Sequence, residues 1–182
     1  MEDLRKRKLV AVPAPYKNKE LKGMLITEAE ISKKVKELGR KIGKGEWHCV
    51  VVLNGAVFFA ADLMRQINCT FDTVQVKSYS GKNSSRTPII VKPLTKPLNG
   101  RNVLIVEDIV DKGYTIEFLI RHCKDLGAKR VRVASMLSKP DRREVDVRID
   151  YLGFIVPDEF IVGYGLDCDE KFRTLPFVAV IK

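Results

Sequence analysis

Val103-Leu104-Ile105-Val106-Glu107-Asp108-Ile109-Val110-Asp111-Lys112-Gly113-Tyr114-Thr115 is the stretch whose reading decides this chain. Its four leading apolar residues read as a buried strand. Two carboxylates, Glu107 and Asp108, follow at once, and Asp111 adds a third. Gly113 then turns the chain into a segment with apolar residues at helical spacing. A glycine turn at a helix start can present successive backbone N–H groups to an anion. Thr115 adds a hydroxyl donor. Acids at a strand's carboxyl end, beside such a turn, suit a sugar that carries both hydroxyls and phosphate.

The flanking segments extend the pattern. Cys49 to Leu53 reads as a second buried strand. Residues 56–67 read as a helix with Phe58, Phe59, Leu63 and Ile67 inward. Phe71 to Lys77 alternates as a strand, and residues 80–88 form a polar loop. The segment 102–106 becomes the central strand. A helix follows over roughly 114–126, ended by Gly127. Arg130 to Leu137 is another strand, and two or three short strands follow within 151–181. Upstream, Thr27-Glu28-Ala29-Glu30 fits a capping box. Ile31, Val35, Leu38 and Ile42 then share one helical face. Alternating strands and helices predict an α/β fold whose open, mostly parallel sheet is flanked by helices on both faces. Ligands bind beyond the carboxyl ends of such strands. The loops 53–56, 107–115 and 138–140 converge there.

A length of 182 residues suits one domain. Hydrophobic residues make up 45% and charged residues 31%, ordinary for a soluble globular chain. The four cysteines lack metal-type spacing and read as reduced thiols. No apolar run approaches membrane-spanning length, and the start lacks a secretory segment, so a cytoplasmic protein without a membrane partner is expected. The net charge of +10 is uneven: residues 1–44 hold 13 Lys and Arg against 6 Asp and Glu. Residues 1–23 read as a basic, loosely ordered extension, and 24–182 as the single domain. The basic end reads as a solvated surface. No aromatic ladder or nucleic-acid motif accompanies it, so no nucleic-acid partner is expected.

The acid-rich stretch resembles the 5-phosphoribosyl 1-pyrophosphate (PRPP) binding signature of purine phosphoribosyltransferases. The resemblance runs from about Met24 to Ile181. It is to the hypoxanthine-guanine (6-oxopurine) enzymes of the type I phosphoribosyltransferase family, whose fold carries a small hood of short strands. It implies that Glu107, Asp108, Asp111, Lys112, Gly113, Tyr114 and Thr115 hold the ribose phosphate. Leu53-Asn54-Gly55-Ala56 resembles a pyrophosphate loop, with a cis peptide between Leu53 and Asn54. Asn54, Gly55 and Arg173 would then face pyrophosphate. Ser78-Tyr79 resembles the start of a lid. Lys139 would donate to a purine 6-oxo group, Phe160 would stack on the base, and the Ile161 backbone would meet its 2-substituent. Asp167, in Gly163-Tyr164-Gly165-Leu166-Asp167, would reach a second magnesium. Glu107 and Asp108 would serve ribose hydroxyls directly or through a metal, so the implied cofactor is Mg2+. Asp111 would act on purine N7. A homodimer or homotetramer is implied as well.

Taken singly, Phe160 reads as a core aromatic, and Lys139 and Arg173 read as exposed charges. Only their joint order along the chain points elsewhere. Lys112 stands where the family usually has Thr or Ser, so one hydroxyl donor to the 5-phosphate is missing. Asn54 stands where some relatives have Lys. His48 and His122 read as structural, and Trp47 as packing. The expected reaction is transfer of phosphoribose from PRPP to hypoxanthine or guanine, giving IMP or GMP and pyrophosphate. Its rival from another class is a catalytically weak PRPP- or nucleotide-sensing regulator that binds nucleic acid.

Overall fold

The structure is a computed structural model that describes residues 2–78 and 88–182. In chain order its elements are β1 (Glu2–Asp3), β2 (Leu21–Ile26), α1 (Glu28–Ile42), β3 (Trp47–Leu53), α2 (Val57–Met64), β4 (Cys69–Ser78) and β5 (Pro88–Lys92). They continue with β6 (Asn102–Val110), α3 (Tyr114–Asp125), β7 (Arg130–Ser138), β8 (Tyr151–Ile155), β9 (Ile161–Val162) and β10 (Val178–Ile181). Seven strands form one sheet in the order β1-β8-β7-β6-β3-β4-β5. Its pairs are parallel except β4 with β5. β6 is central, as its sequence predicts. A small antiparallel sheet, β2-β10-β9, forms the hood.

Successive residues of the central strands serve opposite faces, as the pleat requires. Cys49 and Val51 of β3 join Leu104 and Val106 of β6 under α1 and α2. Val50, Val52, Val103 and Ile105 pack instead with Ile116, Leu119 and Cys123 of α3. Burial on both faces explains why these strands read as continuous apolar runs. The Thr27 capping box is present: Thr27 N donates to Glu30 Oε2 at 2.9 Å, and Glu30 N to Thr27 Oγ1 at 3.3 Å.

Three expectations are corrected. β6 runs on through Val110, because its pairing with β7 continues from Glu107 opposite Ser135 to Val110 opposite Ser138. Glu107 and Asp108 are therefore strand residues, not the loop after a strand. Phe58 faces outward, 38% exposed, because the inner face of α2 belongs to Phe59, Ala60 and Leu63. Part of the expected loose extension is built into the fold. β1 pairs with β8, Leu4 is only 5% exposed, and Val10 bridges Met24. Arg7 of the basic run reaches Glu30 Oε1 at 2.6 Å. Strand pairing, the buried Leu4 and this ion pair together hold the segment on the fold.

Candidate functional site

The carboxyl ends of β3 and β6 and the start of α3 enclose a cavity of about 540 Å3. Val52, Leu53, Gly55, Val76 and Arg142 line it, together with every residue from Glu107 to Ile116. The sheet topology places it where adjacent parallel strands diverge into separate loops.

Glu107 and Asp108 form its acidic floor. Glu107 is 7% exposed, and burial beside the Asp108 carboxylate pushes its carboxyl well above the ordinary range. Burial also raises Asp108, while its hydrogen bond from Ile109 N, at 2.8 Å, and the Arg173 charge oppose that rise. Adjacent carboxyls, one buried and one half-buried, that resist ionisation together are stabilised by a cation at their side. Among the described residues, no group of three or more His, Cys, Asp or Glu could enclose a metal ion by itself. The pair fits magnesium, which takes one or two carboxylates and fills its octahedron with substrate and water oxygens.

The loop after β6 has the geometry its glycine predicts. Gly113 adopts φ 102° and caps α3, and a Cβ there would stand 2.6 Å from Val145 O. The first N–H groups of α3 lack helical acceptors by construction and point toward the cavity end of the helix. Lys112 Nζ pairs with Glu144, whose other oxygen accepts from Tyr114 Oη at 3.0 Å. Asp111 Oδ1 lies 3.1 Å from Arg142 Nε, and Arg142 Nη1 lies 3.3 Å from Asp158. Arg142 and Glu144 were not legible as site residues. The only signal was a charged run, Lys139-Pro140-Asp141-Arg142-Arg143-Glu144, directly after a strand.

On the β3 side, the Leu53–Asn54 peptide is cis. A Cβ on Gly55 would overlap the Asp108 carboxylate, and one on Gly165 would overlap Gly55 O. The 163–167 segment therefore lies directly on the 53–56 loop. Arg173 Nη1 donates to Gly165 O at 2.6 Å, and its Nη2 lies 2.8 Å from Asp167 Oδ1. Asn54, Gly55, Asp167 and Arg173 thus gather on one flank of the acid pair.

The base-side candidates begin with Lys139, which follows β7 on the other side of β6. Lys139, at the end of β7, is 7% exposed and donates from Nζ to Glu159 O at 2.7 Å. Burial lowers its pKa, and the Asp111 carboxylate counteracts part of that. Phe160, the next residue after Glu159, is 59% exposed. The single-residue readings of these two are therefore reversed: the lysine is enclosed and the aromatic ring is open. Ile161 is buried in β9, and Phe160 O accepts from Ile181 N at 2.9 Å. Ser78 ends β4, while Tyr79 lies outside the described residues.

Residues 18–169 match the family model of the phosphoribosyl transferase domain. The chain is 39% identical to a hypoxanthine-guanine phosphoribosyltransferase of Bacillus subtilis (strain 168), over 90% of this chain and 94% of that one. It is 38% identical to the enzyme of that name from Mycobacterium avium, over 94% and 91% of the two chains. It also matches the bifunctional protein TilS/HprT of Listeria monocytogenes at 40% identity, spanning 26% of that longer protein. A crystal structure of a hypoxanthine-guanine phosphoribosyltransferase from Bacillus anthracis superposes with a TM-score of 0.85 at 40% identity, covering 90% of this chain and all of that one.

Proposed function

The chain belongs to the phosphoribosyl transferase family, and on that premise we propose that it transfers phosphoribose from PRPP to hypoxanthine or guanine, giving IMP or GMP and pyrophosphate, as a purine-salvage enzyme. One arrangement supports this above all. Glu107 is buried and Asp108 half-buried beside a glycine-turned helix start, while Lys139 is enclosed just past the neighbouring strand β7 and Phe160 is left open one residue past the lysine's acceptor.

The residues divide the work. Backbone N–H groups from Gly113 onward and the Thr115 hydroxyl would hold the 5-phosphate. Glu107 and Asp108 would face the ribose hydroxyls. With Asp167 on the pyrophosphate side, these two acids would hold magnesium, which when bound neutralises charge on the departing pyrophosphate. Arg173 would add a guanidinium to the same oxygens. Lys139 would donate to a purine 6-oxo group. Adenine presents an amino donor there and would oppose the ammonium.

In the transfer, the bond from the anomeric carbon to pyrophosphate oxygen breaks, and the bond to the purine ring nitrogen forms. The purine loses one proton. Asp111 would bond N7 and receive or relay that proton. Positive charge grows on the sugar as pyrophosphate leaves, and the carboxylates around it would stabilise that charge.

We extend the proposal to a homodimer or homotetramer in the cytoplasm. Val57 and Phe58 of α2, Phe71 of β4, and Ile89 and Val91 of β5 are large apolar residues left exposed, a composition that suits a contact between copies. Cys49 and Cys123 are buried free thiols, which suits a reducing compartment.

A magnesium-dependent assay with PRPP and separately offered hypoxanthine, guanine, xanthine and adenine tests the reading. Product from hypoxanthine and guanine but not adenine is expected. No product with any base would remove it, and product from adenine alone would remove the role of Lys139.

A further inference from the structure

We propose that Glu144 is an internal competitor for the phosphate loop, whose carboxylate engages Lys112 and Tyr114 and thereby weakens PRPP binding. The proposal deepens the reading of this cavity as a PRPP site and rests on it.

Lys112 and Tyr114 line the cavity beside Gly113 and Thr115. One Glu144 oxygen takes the Lys112 ammonium, and the other takes the Tyr114 hydroxyl. A carboxylate and a phosphate offer these donors the same chemistry: anionic oxygens at hydrogen-bond distance. Lys112 is the only cationic side chain within the Asp111–Thr115 turn. Its charge is thus committed to a residue of the chain itself.

The pair is poised for exchange. Lys112 is 24% exposed and Glu144 42% exposed at the side chain, so water screens their attraction and its net contribution is small. A phosphate dianion arriving at the helix start would meet a carboxylate that both repels it and occupies its donor. That penalty falls on PRPP binding and not on the purine, whose candidate contacts lie at Lys139, Phe160 and Ile161.

Backbone contacts, not this side-chain pair, fix the position of Glu144. Glu144 N and Val145 N both donate to Lys112 O at 3.0 Å. Arg143 Nη2 donates to Val110 O at 3.1 Å and to Ser138 Oγ at 2.7 Å. Arg142 is anchored on Asp111. Removing the negative charge of Glu144 therefore leaves the strap of residues 142–145 in place.

The test is steady-state kinetics of Glu144→Gln, of Lys112→Ala, and of the two combined, each checked by thermal melting. Glutamine keeps an oxygen acceptor and loses the charge. Glu144→Gln is expected to lower the KM for PRPP about fivefold with the hypoxanthine KM held, the size set by one screened charge at short range. The gain is expected to shrink when Lys112→Ala is added, since coupling is the signature of a shared contact. A PRPP KM that is unchanged or raised in Glu144→Gln, or a gain that Lys112→Ala leaves undiminished, would overturn the proposal while leaving the transferase reading intact. Should Glu144→Gln melt early, Glu144→Ala is expected to lower the PRPP KM in the same direction, and a rise there would equally overturn it. Absence of nucleotide from the unmodified protein with PRPP would overturn both.

Discussion

Gly55 and Asp108 are packed so closely that a Cβ on residue 55 would overlap the Asp108 carboxylate. This contact joins the loop after β3 to the acidic end of β6. The carbonyl of Gly55 in turn leaves no room for a side chain on Gly165. Two loops and the end of β6, from distant parts of the chain, are thereby stacked through Gly55 and Gly165. On that side Asp108 meets backbone, with no side chain of residue 55 between them.

Gly55→Ala is expected to displace Asp108 and lower kcat/KM for PRPP. Overpacking of this kind costs about 1–3 kcal/mol, hence roughly a tenfold to hundredfold loss if it falls on substrate binding. Kinetics with PRPP varied, alongside circular dichroism, would check it. Full activity in the alanine variant would show that the Asp108 carboxylate can move without consequence.

Asp111→Asn should leave fold and PRPP binding intact while turnover drops about a hundredfold or more, the usual worth of a positioned proton acceptor. Asparagine keeps the size of the side chain and an oxygen facing Arg142, now uncharged. Isothermal titration with PRPP and single-turnover rates separate the two effects. Unchanged turnover would take Asp111 out of the mechanism.

Lys139→Ala should weaken use of the purine far more than use of PRPP. The side chain is enclosed, and a hydrogen bond from a charged group is worth about 1.5–3 kcal/mol, so the purine KM is expected to rise by at least tenfold. Equal losses for both substrates in initial-rate kinetics would count against its role in reading the base.

A pH effect is expected far from the active cavity. His48 is buried at the other end of β3, with Nδ1 2.8 Å from Thr70 Oγ1 and 3.0 Å from Arg101 Nη1. Burial, and then the Arg101 charge, lower its pKa below the ordinary 6.5. The unfolded chain therefore takes up a proton more readily than the folded one. The associated stability is fully present above pH 6.5 and is lost as pH falls through the lowered value in the fold. His48→Gln should flatten the dependence of Tm on pH below that point, and an unchanged slope would assign the acid sensitivity to other groups.

The sheet was largely legible because its signals are local. Continuous apolar runs at residues 49–53 and 103–106 mark strands buried on both faces, and Thr27 with Glu30 marks a helix start within four residues. The end of β6 was misread because acids and a turn signal follow its apolar run. Pairing with β7 continues regardless, since backbone hydrogen bonds do not depend on side-chain polarity. Phe58 was misread because periodicity names an apolar residue without saying which side of a short helix has a neighbour.

By itself, the sequence determined the α/β architecture, the central strand and the turn at Gly113, all governed by residues within a few positions of one another. The tertiary structure alone decided where charge is spent. Lys112 meets Glu144 across 32 residues, and Asp111 meets Arg142, because the segment after β7 folds back over the phosphate loop. Lys139 is enclosed where it meets the Glu159 carbonyl past the end of β7, and Phe160, the next residue, is left open. Such pairings follow from how separate elements return to the same end of the sheet, and no spacing rule along the chain encodes that return.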